Sequence, residues 1–437
     1  MPQNPVRYDS SNMFRQAVGL HGASAEEIKA YAPRLAEAKQ NLLREWKRKE
    51  QGWLGCPDDR RAVDAVIRLA KRKQAFKTCL VLGIGGSDLG ARAAFQALKH
   101  KARGMQLVFA GANTDPDELK EILSGLDLKT TLVNIISKSG DTVEPMSAFL
   151  IVRDELKKAV GKKFAVHIVA TTDAKGGSLR ALAKKEGYAT LPVPANIGGR
   201  FSVLTFVGLF PLACAGIDVK SLLSGAKAIR SQFQTQTPEK NQICLFSLLH
   251  VLADRERRQN IHVLMPYGAR LQEFGKWYRQ IWAESLGKKT DLAGDHVNVG
   301  PTPIAALGAT DQHSQIQLYN EGPNNKVLTF IEISKFASRL SIPASAKQFK
   351  SLSYLTGISL QKIIHAERAA TAEALRQNRR PNGTLFIPQT DARSLGALFM
   401  FFEIATALAG RLYGINPYDQ SGVEQGKAEM RRLLGGR

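Results

Sequence analysis

The chain is short of acid. Its 437 residues hold 39 Asp and Glu against 61 Lys and Arg, a formal net charge of +22. Such a field draws anions, whether nucleic acid, membrane phosphates or phosphorylated metabolites. The basic residues are spread along the chain apart from short clusters such as Lys71-Arg72-Lys73. No nucleic-acid-binding module accompanies them, so nucleic acid is not an expected partner. Cysteine is scarce too: Cys56, Cys79, Cys214 and Cys244 lie far apart with no CxxC pair. That argues against a disulfide framework or a zinc site and for reduced thiols. Long uncharged apolar runs are missing. The 201–217 stretch is short and contains Pro211, and 395–409 carries Glu403 in its middle. A bilayer span needs about 20 apolar residues, so both are expected to be buried core helices and no membrane is expected. The first ten residues lack a basic start followed by an apolar run, which reads as no secretory signal and a cytoplasmic protein. HExxH, clustered His and Cys, Gly-x-Ser-x-Gly and Gly-Lys-Ser/Thr are all absent. Zincin, serine-hydrolase and P-loop chemistries are excluded on that ground, and neither metal nor cofactor is expected.

What is present is alternation. Residues 25–75 are polar-faced and helical in pattern. From Thr78 short β-type runs at 78–82, 106–110, 131–137 and 164–170 alternate with helical patterns at 91–99, 117–124, 144–160 and 178–186. A second block opens with the strand at 261, runs through a helix at 272–285 and continues with the strand 326–333; the last third reads as mostly helical. This order implies βαβ units and parallel sheets covered by helices. Both blocks open with strand, turn and helix, a faint internal symmetry. Two α/β domains joined near 195–230 are expected.

Two loops could hold an anion. Gly83-Ile-Gly85-Gly86-Ser87-Asp88-Leu89-Gly90 follows a strand and opens a helix, but Asp88 stands where a dinucleotide fingerprint needs glycine. What remains is free backbone N–H groups, a helix start and the Ser87 hydroxyl, or simply a capped turn. The second loop is Ser137-Lys138-Ser139-Gly140-Asp141-Thr142-Val143-Glu144-Pro145, again between strand and helix. Two such loops at strand ends suggest one phosphate shared between them. Trp277, Ile281 and Glu284 fall on one face of the helix 272–285, with Gln280 one turn before Glu284. A carboxylate continuing an aromatic stripe is expected to be desolvated, which favours its protonated form and suits a general base. The alternative is a helix-end carboxylate paired with Lys288. His313 sits in the polar run Thr310-Asp-Gln-His313-Ser-Gln, Arg200 ends Asn196-Ile-Gly-Gly-Arg200, and Asp419-Gln420-Ser-Gly-Val-Glu-Gln-Gly-Lys427 looks like a helix start. In a helix Lys427 would share a face with Val423 and Met430 and be partly buried. Taken singly, each of these three is better explained by structure than by catalysis.

Together the segments resemble the glucose-6-phosphate isomerase family. The motifs at 83–90, 137–145, 198–204, 284–288, 311–314 and 419–427 match in order and span almost the whole chain. The resemblance implies two sugar-isomerase (SIS) type domains, each a mainly parallel sheet sandwiched between helices in three α-β-α layers. One would comprise 70–228, the other 1–69 with 229–437. It implies a homodimer that interconverts glucose 6-phosphate and fructose 6-phosphate in glycolysis and gluconeogenesis. Gly86, Ser87, Ser137, Lys138, Ser139 and Thr142 would then hold the phosphate, and Gln280 and Gln420 would orient the sugar. Glu284 would carry the proton between C2 and C1, and Arg200 would stabilise the cis-enediolate. His313, from the partner subunit, and Lys427 would assist ring opening. Asp141 departs from the hydroxyl usual in the family's loop, so it is expected either to point away from the phosphate or to be neutralised by a basic neighbour. Ser421, where proline is common, is a harmless departure. A non-catalytic sugar-phosphate sensor would lack Glu284 and Lys427, and this chain has both.

Overall fold

The computed structural model describes residues 5–435. Helices begin where side chains can satisfy their first N–H groups. Ser24 and Glu27 form a reciprocal capping box that opens the helix Ala25–Lys47, and Asp59 caps Arg60–Arg72. Strand β1 (Arg7–Asp9) joins the second sheet described below. The strands β2 (Thr78–Leu82), β3 (Gln106–Ala110), β4 (Thr131–Ile136), β5 (Ile168–Asp173) and β6 (Ala189–Val193) form the first sheet in the order β3-β2-β4-β5-β6. Every pairing in it is parallel, with Thr78 opposite Thr131 and Leu82 opposite Ile135. All six residues of β4 are buried, as expected for a strand covered on both faces.

The chain leaves β2 for one edge of the sheet and returns to β4 on the other side. This reversal opens a crevice beyond the carboxyl ends of β2 and β4, where open α/β sheets bind ligands. Both candidate anion loops start there.

The later strands are β7 (Ile261–Tyr267), β8 (Lys288–Thr290), β9 (His296–Val299), β10 (Thr302–Ala305), β11 (Lys326–Ile333) and β12 (Asn382–Ile387). The second sheet runs β1-β12-β11-β7-β10, parallel except for the β1–β12 pair, and β8–β9 is a small antiparallel ladder. From β7 the chain again goes first to one side (β10) and then to the other (β11), so the faint symmetry of the sequence is a repeated topology.

Two expectations shift. The strand read at 164–170 begins only at Ile168, because 161–167 forms a 3-10 segment whose Phe164 ring packs edge-on against Tyr188 rather than joining the pleat. The last third also contains β12, whose opening Asn-Gly pair resembles a turn but is buried between β1 and β11. The two apolar stretches are core helices. Phe206–Cys214 is almost wholly buried. Ala392–Tyr413 is long and apolar enough to cross a membrane, yet 94% of its most apolar window lies inside the protein. Glu403 is fully buried in that helix with no hydrogen-bond partner among the described residues, and burial pushes its carboxyl well up, so the neutral acid is what the core holds.

Candidate active site

A cavity of about 830 Å³ lies at the crevice of the first sheet. Ser137 directly follows β4 and is 2% exposed. Its Oγ accepts from the Gly140 N–H at 3.0 Å and lies 3.2 Å from the Thr142 hydroxyl, so the loop is pre-shaped by its own side chains. Gly140 has φ +79°, and a Cβ there would sit 2.3 Å from the Leu179 nitrogen. The ammonium of Lys138 donates to the carbonyls of Ala195 and Ile197 at 2.8 and 3.2 Å, which ties this loop to the segment leading to Arg200. Burial pulls that ammonium below the usual lysine value, with Asp173 opposing.

The loop after β2 meets the same segment. A Cβ on Gly86 would lie 2.2 Å from the carbonyl of Gly199 and 2.6 Å from the Arg200 nitrogen, so only glycine permits this approach. Asp88, buried at the helix start, forms a two-pronged pair with Arg92; burial raises its carboxyl and the guanidinium opposes that.

Arg200 is 3% exposed. Its Nε donates to Ser285 Oγ at 2.7 Å and Nη1 to Gln420 Oε1 at 2.9 Å. Nη2 donates to the carbonyls of Pro417 and Asp419 at 2.6 and 2.8 Å. Burial lowers its affinity for the proton, opposed by Glu284 and Asp419, but a guanidinium remains charged. The carboxylate of Glu284 is 3.6 Å from Nη1 and its side chain is 34% exposed. Gln280 Nε2 donates to Glu284 Oε1 at 3.1 Å, leaving Gln280 Oε1 buried and free to accept.

The expectation of a desolvated Glu284 is therefore corrected. Trp277 and Ile281 are buried, but the face they share with Glu284 leaves the core at its end, so the carboxylate lies at the cavity wall beside a fixed cation. The Lys288 alternative is corrected too. That ammonium reaches the main-chain oxygen of Glu284 at 2.6 Å and the Asp419 carboxylate at 3.2 Å, so it anchors the helix end to the 417–420 turn.

Gly86, Ser87, Ser137, Lys138, Ser139, Thr142, Arg200, Gln280, Glu284, Gln420 and Lys427 all line this one cavity. Lys427 is not partly buried as expected. The helix Glu424–Leu433 has no buried residue, and Lys427 is 46% exposed and paired with Glu424. His313 is exposed and outside the cavity, in a loop held by Gln312, which donates to the Tyr267 hydroxyl and the Glu367 carbonyl. Asp141 lines the cavity, but its carboxylate accepts from the Ser178 hydroxyl at the start of the helix Ser178–Glu186. No basic partner pairs with it among the described residues. Ser285, which steers Arg200, is not legible in the sequence; a serine beside a glutamate carries no local signal of that task. Among the described residues no group of three or more His, Cys, Asp and Glu is placed to hold a metal.

Known proteins resemble this chain along nearly its whole length. The phosphoglucose isomerase family model matches residues 68–434. A glucose-6-phosphate isomerase of Carboxydothermus hydrogenoformans is 39% identical over 98% of this chain and 95% of its own length. A solved structure of a hypothetical protein from Thermus thermophilus superposes with a TM-score of 0.90 at 34% identity, covering 99% of this chain and all of its own. A solved glucose-6-phosphate isomerase from Chlamydia trachomatis gives a TM-score of 0.77 at 26% identity, over 86% of this chain and 73% of its own. With motifs, cavity and near-full-length similarity in accord, the chain belongs to the phosphoglucose isomerase family.

Proposed function

We infer that the chain isomerises glucose 6-phosphate and fructose 6-phosphate in both directions, with the sugar in the cavity at the first sheet's crevice. The phosphate sits between the loop around Gly86 and Ser87 and the loop of Ser137, Lys138, Ser139 and Thr142. This leaves C1 and C2 toward Glu284. The carboxylate takes the proton from one carbon and returns it to the other. While it holds the proton, the negative charge resides on the cis-enediolate. Arg200 faces one negative charge throughout, first the carboxylate and then the enediolate, so proton transfer separates no new charge in the cavity. Four of its N–H bonds hold it in place, so it needs little reorganisation. Gln280 and Gln420 orient the hydroxyls. Lys427 and His313 assist ring opening, His313 reaching the cavity from the second subunit of a homodimer. Residues 70–228 form the unit that holds the phosphate, and 1–69 with 229–437 form the unit that supplies Glu284. The reaction belongs to sugar-phosphate metabolism in the cytoplasm.

The observation that supports this reading is one cavity shared by Glu284, Arg200 and both hydroxyl-bearing loops. The test is isotopic. Wild-type protein turning over glucose 6-phosphate in D₂O, with and without chelator, should exchange the C2 proton with solvent. Glu284→Gln keeps the shape and should bind substrate while losing exchange, with kcat down by about 10²-fold or more. Turnover of that variant near the normal rate would refute Glu284 as the base.

A further inference from the structure

The second sheet has a crevice of its own. Beyond the carboxyl ends of β7 and β11, where its strand order reverses, lies a separate cavity of about 520 Å³. Its size falls in the range of small-molecule sites, roughly 300 to 1,000 Å³. No residue lining it lines the first cavity. Arg270, from the turn after β7, and Lys335, from the loop after β11, both line it. Lys101 reaches the same cavity from the first sheet's side. None of these three has a salt bridge among the described residues. Nearby, the His100 imidazole is held below its ordinary value, by burial first and then by the positive field of Arg270 and Lys101. Three unpaired cations around one concavity concentrate positive potential there, and such a site draws anions. The remaining wall is mixed. Phe336, Leu360 and Ile364 present apolar surface, and Glu367 offers an acceptor for a hydroxyl or amino group. Inorganic phosphate alone would leave that apolar surface unused.

The position of this cavity links it to the first one. Arg270 lies in the turn that leads directly into the helix Gln272–Leu286, whose far end carries Glu284. Lys101 ends the turn that closes the helix Leu89–Leu98, whose near end follows Ser87. The two helices pack against each other. The second cavity thus sits at the distal ends of the two elements that present the base and a phosphate loop, roughly 20 Å away by helix length.

We propose that this second crevice is an effector site for a phosphate ester with an apolar or aromatic body, of nucleoside monophosphate size, distinct from the catalytic cavity. The phosphate meets Arg270, Lys335 and Lys101, and the body lies against Phe336 and Leu360. Binding there and binding of fructose 6-phosphate modulate each other by an equal factor, since linkage is reciprocal.

The experiment is calorimetric titration of the full-length protein with AMP as the probe and adenosine as the phosphate-free control. AMP is expected to bind with a Kd of about 1 mM or tighter, and adenosine at least tenfold more weakly. Saturating fructose 6-phosphate should shift the AMP Kd without abolishing binding. The double variant Arg270→Ala, Lys335→Ala should lose at least tenfold in AMP affinity. Its thermal melt should match wild type, and its kcat/KM without AMP should stay within about twofold, because neither residue lies in the catalytic cavity. Three results would overturn the proposal: no AMP binding at about ten times that concentration, AMP binding fully displaced by fructose 6-phosphate, or AMP binding that survives the double substitution.

Discussion

Substituting Gly86 by alanine adds one methyl group where the structure has no room. The new Cβ would meet the Gly199 carbonyl at 2.2 Å, whereas ordinary van der Waals contact begins at 3.4 Å. One of the two segments must therefore retreat by about 1 Å, and a misplacement of that size at a catalytic group costs on the order of 10²-fold in rate, or about 2.7 kcal/mol. The segment that moves carries Arg200, whose four hydrogen bonds run to Ser285, Gln420, Pro417 and Asp419. They resist displacement, so part of the strain appears as lost stability, about 1 to 3 kcal/mol for an overpacked site. Gly198→Ala is the control on the same segment: φ there is −70° and an added Cβ meets nothing within 4 Å. The assay is the conversion of fructose 6-phosphate coupled to a dehydrogenase that reads glucose 6-phosphate, with thermal melts alongside. Gly86→Ala should lower kcat about 10²-fold while Gly198→Ala stays within about threefold. Equal activity in both variants would show that the Gly86–Gly199 contact does not set the position of Arg200.

Three further outcomes are expected. With Ser87 in its proposed place against the phosphate, Ser87→Ala should mainly raise KM, since such a contact persists from substrate to transition state. Lys138→Ala should lower kcat as well, because that ammonium also holds the Ala195 and Ile197 carbonyls before Arg200; an unchanged kcat would mean the tie is not needed. On the acid side, His250 is buried and neutral, bonded to the Phe246 carbonyl and Thr329, and burial lowers it from 6.5 to about 4. The unfolded chain binds the extra proton between those values. The stability is therefore complete above pH 6.5 and is lost as pH falls toward 4, by on the order of 3 kcal/mol. A melting temperature that stays flat across that window would count against it.

The sequence by itself determined the alternation of strands and helices, the strand-to-helix position of the two hydroxyl-bearing loops and the family to which the chain belongs. These are local signals: a β-type run, a glycine turn and a helix start follow one another within fifteen residues at 78–90 and again at 131–145. It also marked the two apolar stretches as core, since Pro211 and Glu403 are legible without any contact. Tertiary structure decided the rest. Nothing local indicates that Asn382-Gly-Thr opens a buried strand, because its neighbours β1 and β11 supply the burial. Helical spacing places Glu284 on the face of Trp277 and Ile281, but whether that face ends in core or in cavity depends on Arg200, fixed by partners 85 to 220 residues away. Spacing to Val423 and Met430 would half-bury Lys427, yet the helix Glu424–Leu433 buries no residue. Periodicity tells which residues share a face, and only the packed chain tells what that face meets.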